Sequence, residues 1–203
     1  GKSQAYAQRL VVTWDRRDNT FNPRRGTFFV SGLEHVDWYS LNKTDPVNVP
    51  TEGHFLRFTE TFAGYVPVGR RLTFAAELRL GWNYQLTRNR NLSQPPTYPD
   101  RLFFLGGFES MRAWNQDTFL PQQYINKIVA DARDPSLTPE QRVTAQRVPL
   151  RGGNLMVNPK FELRIPLSGA WETVAFTDIG NLWVDPSTPF DTGRFPLRVA
   201  VGS

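Results

Sequence analysis

Every second residue from Leu155 to Leu167 is apolar, and the residues between are mostly polar or charged. Leu155, Val157, Pro159, Phe161, Leu163, Ile165 and Leu167 alternate with Met156, Asn158, Lys160, Glu162, Arg164 and Pro166. The same rhythm runs from Leu72 to Gln85, where Leu72, Phe74, Ala76, Leu78, Leu80, Trp82 and Tyr84 alternate with Thr73, Ala75, Glu77, Arg79, Gly81, Asn83 and Gln85. A period of two describes a β-strand with one apolar and one polar face. Strands in soluble sheets usually span about 5–6 residues. A tilted membrane-crossing strand needs roughly 9–11. The length and cleanness of these two segments therefore predict an all-β fold, an antiparallel transmembrane β-barrel.

Composition is compatible with that fold once its two faces are separated. Of 203 residues, 39% are hydrophobic, and mean hydropathy is −0.45, values that suit a soluble protein. In a barrel the inward-facing residues dilute the average. Aromatics make up 13%, enough for interfacial girdles. No apolar run reaches the roughly 18 residues of a membrane-crossing helix. The chain has no cysteine, which excludes disulfides and thiolate metal sites. His35 and His54 are its two histidines, flanking one predicted loop, and zinc wants three or four ligands. No G-x-S-x-G, H-E-x-x-H or P-loop motif is present, so no catalytic residue, metal or cofactor is expected. Net charge is +5 and the pI about 9.8, but Arg9, Arg57, Arg79, Arg164 and Arg198 are scattered along the chain. A nucleic-acid binder would gather them in a stripe. They read instead as lumen-facing partners of Glu60, Glu77, Glu162 and Asp178, while Arg88 and Arg90 read as solvated loop charge.

Seven strands are predicted, over 4–14, 27–39, 54–66, 71–85, 154–167, 171–184 and 196–203. The connections Pro67–Arg70 and Ser168–Ala170 are tight, and Asp15–Gly26 is rich in turn formers. Residues 40–53, 86–153 and 185–195 form longer loops. Short turns at one end and long loops at the other are the mark of a membrane barrel, periplasmic and external respectively. The whole of 1–203 reads as the C-terminal part of one outer-membrane barrel domain, ending before its final strands, whose long loop, 86–153, is partly helical. Tyr124, Ile125, Ile128, Val129 and Ala132 give helical spacing over 122–133. Thr138, Pro139 and Gln141 give an N-cap, a first-turn proline and a capping box, predicting a second helix to about Val148. Both helices read as loop decoration. Trp171 with Trp183, and Trp82 with Tyr84, are expected at the water interfaces. Two strands are less clean. Glu60 interrupts the apolar face of Leu56, Phe58, Phe62 and Val66, and Glu34 that of Phe28, Val30, Val36 and Trp38. Either these acids lie near an interface or the faces are misassigned. A seven-stranded open sheet leaves edges that lipid cannot satisfy, so the chain is expected to be an internal piece of a larger barrel.

The segment Leu105 to Trp114 stands apart. Gly106 and Gly107 permit a sharp reversal. Arg112 follows among apolar neighbours and, if buried, needs an anionic partner. Glu162 and Asp178 are available on later strands, and a guanidinium fork suits two carboxylates. The implied geometry is a loop folding back into the barrel and gripping its inner wall; the alternative is an arginine on a solvated loop.

With these residues the chain resembles the BamA/TamA superfamily of outer-membrane assembly and translocation barrels, the bacterial surface antigen family. Asp15 and Asp18, followed by Pro23 and Gly26, resemble that family's aspartate-rich turn. Gly106, Gly107, Ser110, Met111, Arg112, Ala113 and Trp114 resemble its inward loop motif. Gly152-Gly153-Asn154 with Glu162 to Pro166 resembles the strand after that loop, and Phe176 to Trp183, with Asp178, the next. The resemblance implies that Arg112 packs against Asp178 with Glu162 nearby. Ala113 stands where the motif has glycine. If that glycine serves a positive φ, alanine carries strain; if it serves close packing, alanine is tolerated. The resemblance further implies a parent barrel of about sixteen strands with periplasmic POTRA domains, in the outer membrane of a Gram-negative bacterium. Implied partners are client outer-membrane or secreted proteins, lipid and lipopolysaccharide, and accessory lipoproteins. A dedicated secretion pore for one passenger, a passive porin-type channel and a soluble β-sandwich binding module are the alternatives.

Overall fold

The computed structural model describes residues 3–40, 52–86, 97–141, 152–168 and 171–203. Among them, seven strands form one sheet in the order of the chain. These are β1 (Ser3–Asp15), β2 (Gly26–Ser40), β3 (Glu52–Val68), β4 (Leu72–Gln85), β5 (Leu155–Pro166), β6 (Glu172–Trp183) and β7 (Arg198–Gly202). Every neighbouring pair is antiparallel. Helix α1 (Gln122–Arg133) and a short α2 (Thr188–Thr192) lie in the loops at the long-loop end. The observed strands match the predicted ones to within two residues at each end.

The register fixes which residues share a face. Leu33, Phe58, Trp82 and Leu155 stand side by side across four strands, as do Phe29, Phe62, Leu78 and Pro159. This is the outer face. Tyr6, Leu10, Val12, Trp14, Phe62, Val66, Phe74, Phe161, Val199 and Val201 are all exposed on it. An apolar surface this extensive is rare on a soluble monomer and is what hydrocarbon requires. Leu72 and Leu163 are only half-buried there, and Trp171 is 78% exposed at the short-turn end. The opposite face carries charge: Glu77, Lys160 and Asp178 occupy one rung.

Three expectations need correction. The face of Phe28, Val30, Glu34, Val36 and Trp38 is the inner one, because Glu34 stands opposite Arg57 and Val36 opposite Phe55. Period two separates faces but does not say which is dry, and here the inner wall is dry too. Val36, Trp38 and Phe55 are buried under Tyr98. Glu60 does face outward, in the middle of β3 and opposite Leu80, so it is no lumen partner of an arginine. Its carboxylate accepts a hydrogen bond from Ser31 Oγ at 2.9 Å. Trp183 is not interfacial: it is 1% exposed and meets Phe195 edge-on.

Helix α1 buries no residue, and Lys127 reaches Asp131 one turn on at 2.7 Å. The predicted capping box forms: Thr138 N–H donates to Gln141 Oε1 and Gln141 N–H to Thr138 Oγ1. The rest of that predicted helix, and Arg88 and Arg90, lie outside the described residues.

Candidate loop clamp in the lumen

Residues 97–121 cross the inner face from β2 toward β7. The crossing is possible because the inner wall leaves room. A Cβ on Gly81 would lie 2.5 Å from the Phe103 ring, and one on Gly180 3.1 Å from Met111 Sδ, so each glycine is a seat for a loop side chain. Phe103 pairs with Gly153 through two backbone hydrogen bonds of 2.8 Å. Phe103, Leu105, Met111, Phe119 and Leu182 then form a dry cluster, with Trp114 edge-on to Phe119 at 5.0 Å. This is a small hydrophobic core on the inner face of the sheet.

The loop's tip is built locally. Gly106 and Gly107 have φ of 115° and 88°, a region side chains avoid, and a Cβ on Gly106 would strike the Asn115 carbonyl. Ser110 Oγ accepts from Gly106 N–H at 2.9 Å and donates to Gly106 O at 3.0 Å. Gly107 N–H donates to Trp114 O at 2.8 Å. Met111, buried, anchors the turn, and Arg112 is thereby aimed at the wall. Ala113 carries no left-handed strain, since Asp117 is the one non-glycine residue with positive φ among the described residues.

Arg112 makes four hydrogen bonds to two acids. Its backbone N–H and Nε donate to Asp178 Oδ2 at 3.0 and 2.9 Å, and Nη2 to Asp178 Oδ1 at 2.7 Å. Nη1 donates to Glu162 Oε1 at 3.1 Å. The guanidinium lies 3.6 Å over the Phe176 ring, which adds a cation–π contact. Asp178 is fully buried, so its charge has no water to fall back on. Bidentate geometry is the case in which a buried pair offsets its desolvation. Hydrogen bonding to the Asp178 carboxylate raises the Arg112 pKa against the opposing effect of burial. The far oxygen of Glu162 is held by Arg164 at 3.1 Å, and Lys160 Nζ donates to Glu109 O at 2.8 Å.

A second pin was not foreseen. Arg101 Nε donates to Glu34 Oε1 at 3.0 Å, and Arg57 Nη1 lies 3.7 Å from Glu34 Oε2. Arg57 Nε also donates to Arg101 O, and its guanidinium sits over Phe103. The lone acid on an otherwise apolar face was the available signal. Nor did the sequence reveal the amide network in which Asn83 Nδ2 and Thr97 Oγ1 both donate to Asn154 Oδ1, at 3.0 and 2.6 Å. At the far wall Arg198 contacts the Asn181 side chain and the face of Phe119.

The turn residues stand apart from this clamp, joining β1 to β2. Asp18 Oδ1 accepts from Arg24 and Arg25 N–H at 3.0 and 3.1 Å. These backbone donors, Arg25 first, lower the Asp18 pKa. Asp15 chelates the Arg17 guanidinium at 2.9 and 2.6 Å. Pro23 is buried, and Gly26, at φ 111°, packs against the Arg16 carbonyl. His54 Nδ1 and His35 Nδ1 lie 2.5 and 3.6 Å from Asp37 on the outer face. Among the described residues no group of three or more potential ligands could hold a metal.

A family model described as the Omp85 superfamily domain matches residues 1–202. Among solved structures the fold is similar to the crystal structure of BamA from Haemophilus ducreyi lacking POTRA domains 1–3. The TM-score is 0.64 at 16% identity, covering 97% of this chain and 35% of that one. The chain thus spans about a third of that chain's length, and the likeness at this identity is one of fold. No curated protein matches. A long antiparallel meander with an apolar outer face, matched by the family model along nearly all its length, leads to one conclusion: the chain belongs to the Omp85 superfamily.

Proposed function

We propose that this chain is barrel wall from an outer-membrane protein of a Gram-negative bacterium that inserts proteins into that membrane or moves them across it. The observation that carries the reading is the loop pinned across the inner face by Arg112 on Asp178 and Glu162. A passive channel needs an open, hydrated lumen. Here a dry cluster and a charge clamp cover part of the inner wall, which supports a braced interior over an open channel.

The mechanism is non-covalent, and no side chain breaks a bond. Arg112 holds β5 and β6 to the loop, Arg101 holds β2, and the loop keeps the curvature of this wall fixed. Strain from an arriving client is then relieved elsewhere in the barrel, where a weakly paired strand edge can accept a client strand by β-augmentation. Short turns face the periplasm and long loops the outside. Clients are unfolded outer-membrane or secreted proteins, with lipid, lipopolysaccharide and accessory lipoproteins as surroundings.

Reconstituting the full-length gene product in liposomes tests this. It is expected to accelerate folding of a urea-unfolded β-barrel client over empty liposomes, and Arg112→Ala is expected to reduce that acceleration. Steady large ion conductance without client folding or translocation would replace the proposal with a passive channel.

A further inference from the structure

Residues 184–197 bend back over the outer face at the long-loop end. Phe190 meets Phe195 edge-on at 5.3 Å, and Phe195 meets Trp183 edge-on at 6.1 Å. Phe190, Phe195 and Leu197 nevertheless stay exposed, three large apolar side chains on one loop. Trp82 and Tyr84, also exposed, finish β4 at the same end of the sheet. Aromatic side chains gather in this way where hydrocarbon gives way to water.

Two hollows meet at Phe195. One, of about 340 Å3, lies between Phe190 and Phe195 of the loop and Phe58, Leu80, Trp82, Leu155 and Val157 of the wall, with Glu60 at its end nearer the middle of the sheet. The other, of about 780 Å3, is lined by Gln122 and Asn126 of α1 and by Thr188, Arg194 and Pro196, with Trp183 behind Phe195. Leu155 of the first hollow stands directly opposite Trp183 of the second, so the two adjoin. Both are of the size that holds a ligand. Their chemistry is opposite: one is hydrocarbon, the other two amides, a hydroxyl and a guanidinium.

We propose that this rim binds one lipopolysaccharide molecule, with an acyl chain in the apolar hollow and the phosphorylated sugar at Arg194. The solvent of the outer wall is lipid, so an apolar hollow open to it takes a hydrocarbon chain. The two charges sort the ligand's ends. Glu60 at the deep end disfavours an anion, and Arg194 at the mouth attracts one, as basic residues do at a membrane surface. The head is a saccharide rather than a bare phosphate. The polar hollow is far larger than one phosphate needs, its amides and hydroxyl can exchange hydrogen bonds with sugar hydroxyls, and Phe195 offers a flat apolar face to a ring. The site rests on the outer-membrane placement proposed above and is independent of the client.

The full-length gene product in detergent micelles is titrated with purified rough lipopolysaccharide and followed by native mass spectrometry. A one-to-one adduct is expected. Arg194→Glu and Phe190→Ser, both at exposed positions, are each expected to lower it at least about fivefold. Arg71→Glu, exposed at the short-turn end, should leave it unchanged. Phosphatidylglycerol, anionic but without a saccharide, should bind wild type at least about fivefold more weakly, a comparison that needs no variant. Heat-shifted gel mobility reports whether each protein is a folded barrel. A folded wild type that binds no lipopolysaccharide, that holds phosphatidylglycerol equally well, or whose adduct survives both loop substitutions overturns this inference alone. So does an adduct that Arg71→Glu weakens as much as Arg194→Glu. The client-folding assay in phospholipid liposomes contains no lipopolysaccharide, so its failure bears on the proposed function instead.

Discussion

Arg112 and Arg101 ride on one loop and grip opposite parts of the same wall, yet they are not equivalent. Arg112 gives three hydrogen bonds to Asp178, a carboxylate with no exposed surface, and a fourth to Glu162. Arg101 gives one to Glu34, a carboxylate that Arg57 also approaches. Losing Arg112 strands a buried charge; losing Arg101 leaves Glu34 with a cation still close by. The worth of a buried ion pair is set less by its attraction than by what its removal leaves behind.

That asymmetry is open to direct tests. Arg112→Ala is expected to lower stability by about 3–5 kcal/mol, the cost of one unpaired buried charge, read as a loss of heat-modifiable mobility at lower temperature or urea. Arg112→Lys keeps the charge but not the fork, and should recover only part of it. An unchanged melting profile for Arg112→Ala would remove the clamp from the account. The seat between the two pins comes next. Gly81→Val drives a side chain into Phe103 and should cost about 1–3 kcal/mol of overpacking; Phe103→Leu in the same chain should relieve it, and no relief would mean that the ring does not rest there. Arg101→Ala is expected to cost about 1–2 kcal/mol. The two pins share no partner, so their effects should add to within about 0.5 kcal/mol. The smallest effect belongs to the Asp18 turn, remote from both pins. Its folded pKa lies below the unfolded one, so its contribution is complete above the unfolded carboxylate range and fades as pH falls through the folded value. Amide exchange at Arg24 and Arg25 should therefore quicken, relative to the adjoining strands, only at strongly acid pH. Protection independent of pH would contradict the cap.

How much of this was legible in the sequence differs between the pins for a physical reason. Strand existence and extent followed from period two. For Arg112 the residues left a wall clamp and a solvated loop both open, and the family resemblance chose the clamp. The Arg101 clamp was not legible, because toward the long loops β2 alternates the other way round, with Val36 and Trp38 facing in and His35 and Asp37 facing out. Its inner face is covered by Tyr98 and by the start of the loop, so alternation could not say which side was wet. Glu34 was noticed as an inconsistency and explained only by the register. The converse holds for Glu60, read as a lumen partner although alternation put it on the apolar face, and the register places it outward. Trp183 escaped for a third reason: residues 184–197 fold back over it, a tertiary contact with no local signature.

A double-mutant cycle on Arg112 and Asp178, measured by urea unfolding of the full-length gene product in bilayers, tests the central claim most directly. The clamp predicts strong coupling: Arg112→Ala and Asp178→Ala each destabilise, and the double variant loses far less than their sum, by about 2–3 kcal/mol. Losses that simply add, to within about 0.5 kcal/mol, would mean that the loop is not held to the barrel wall by this pair.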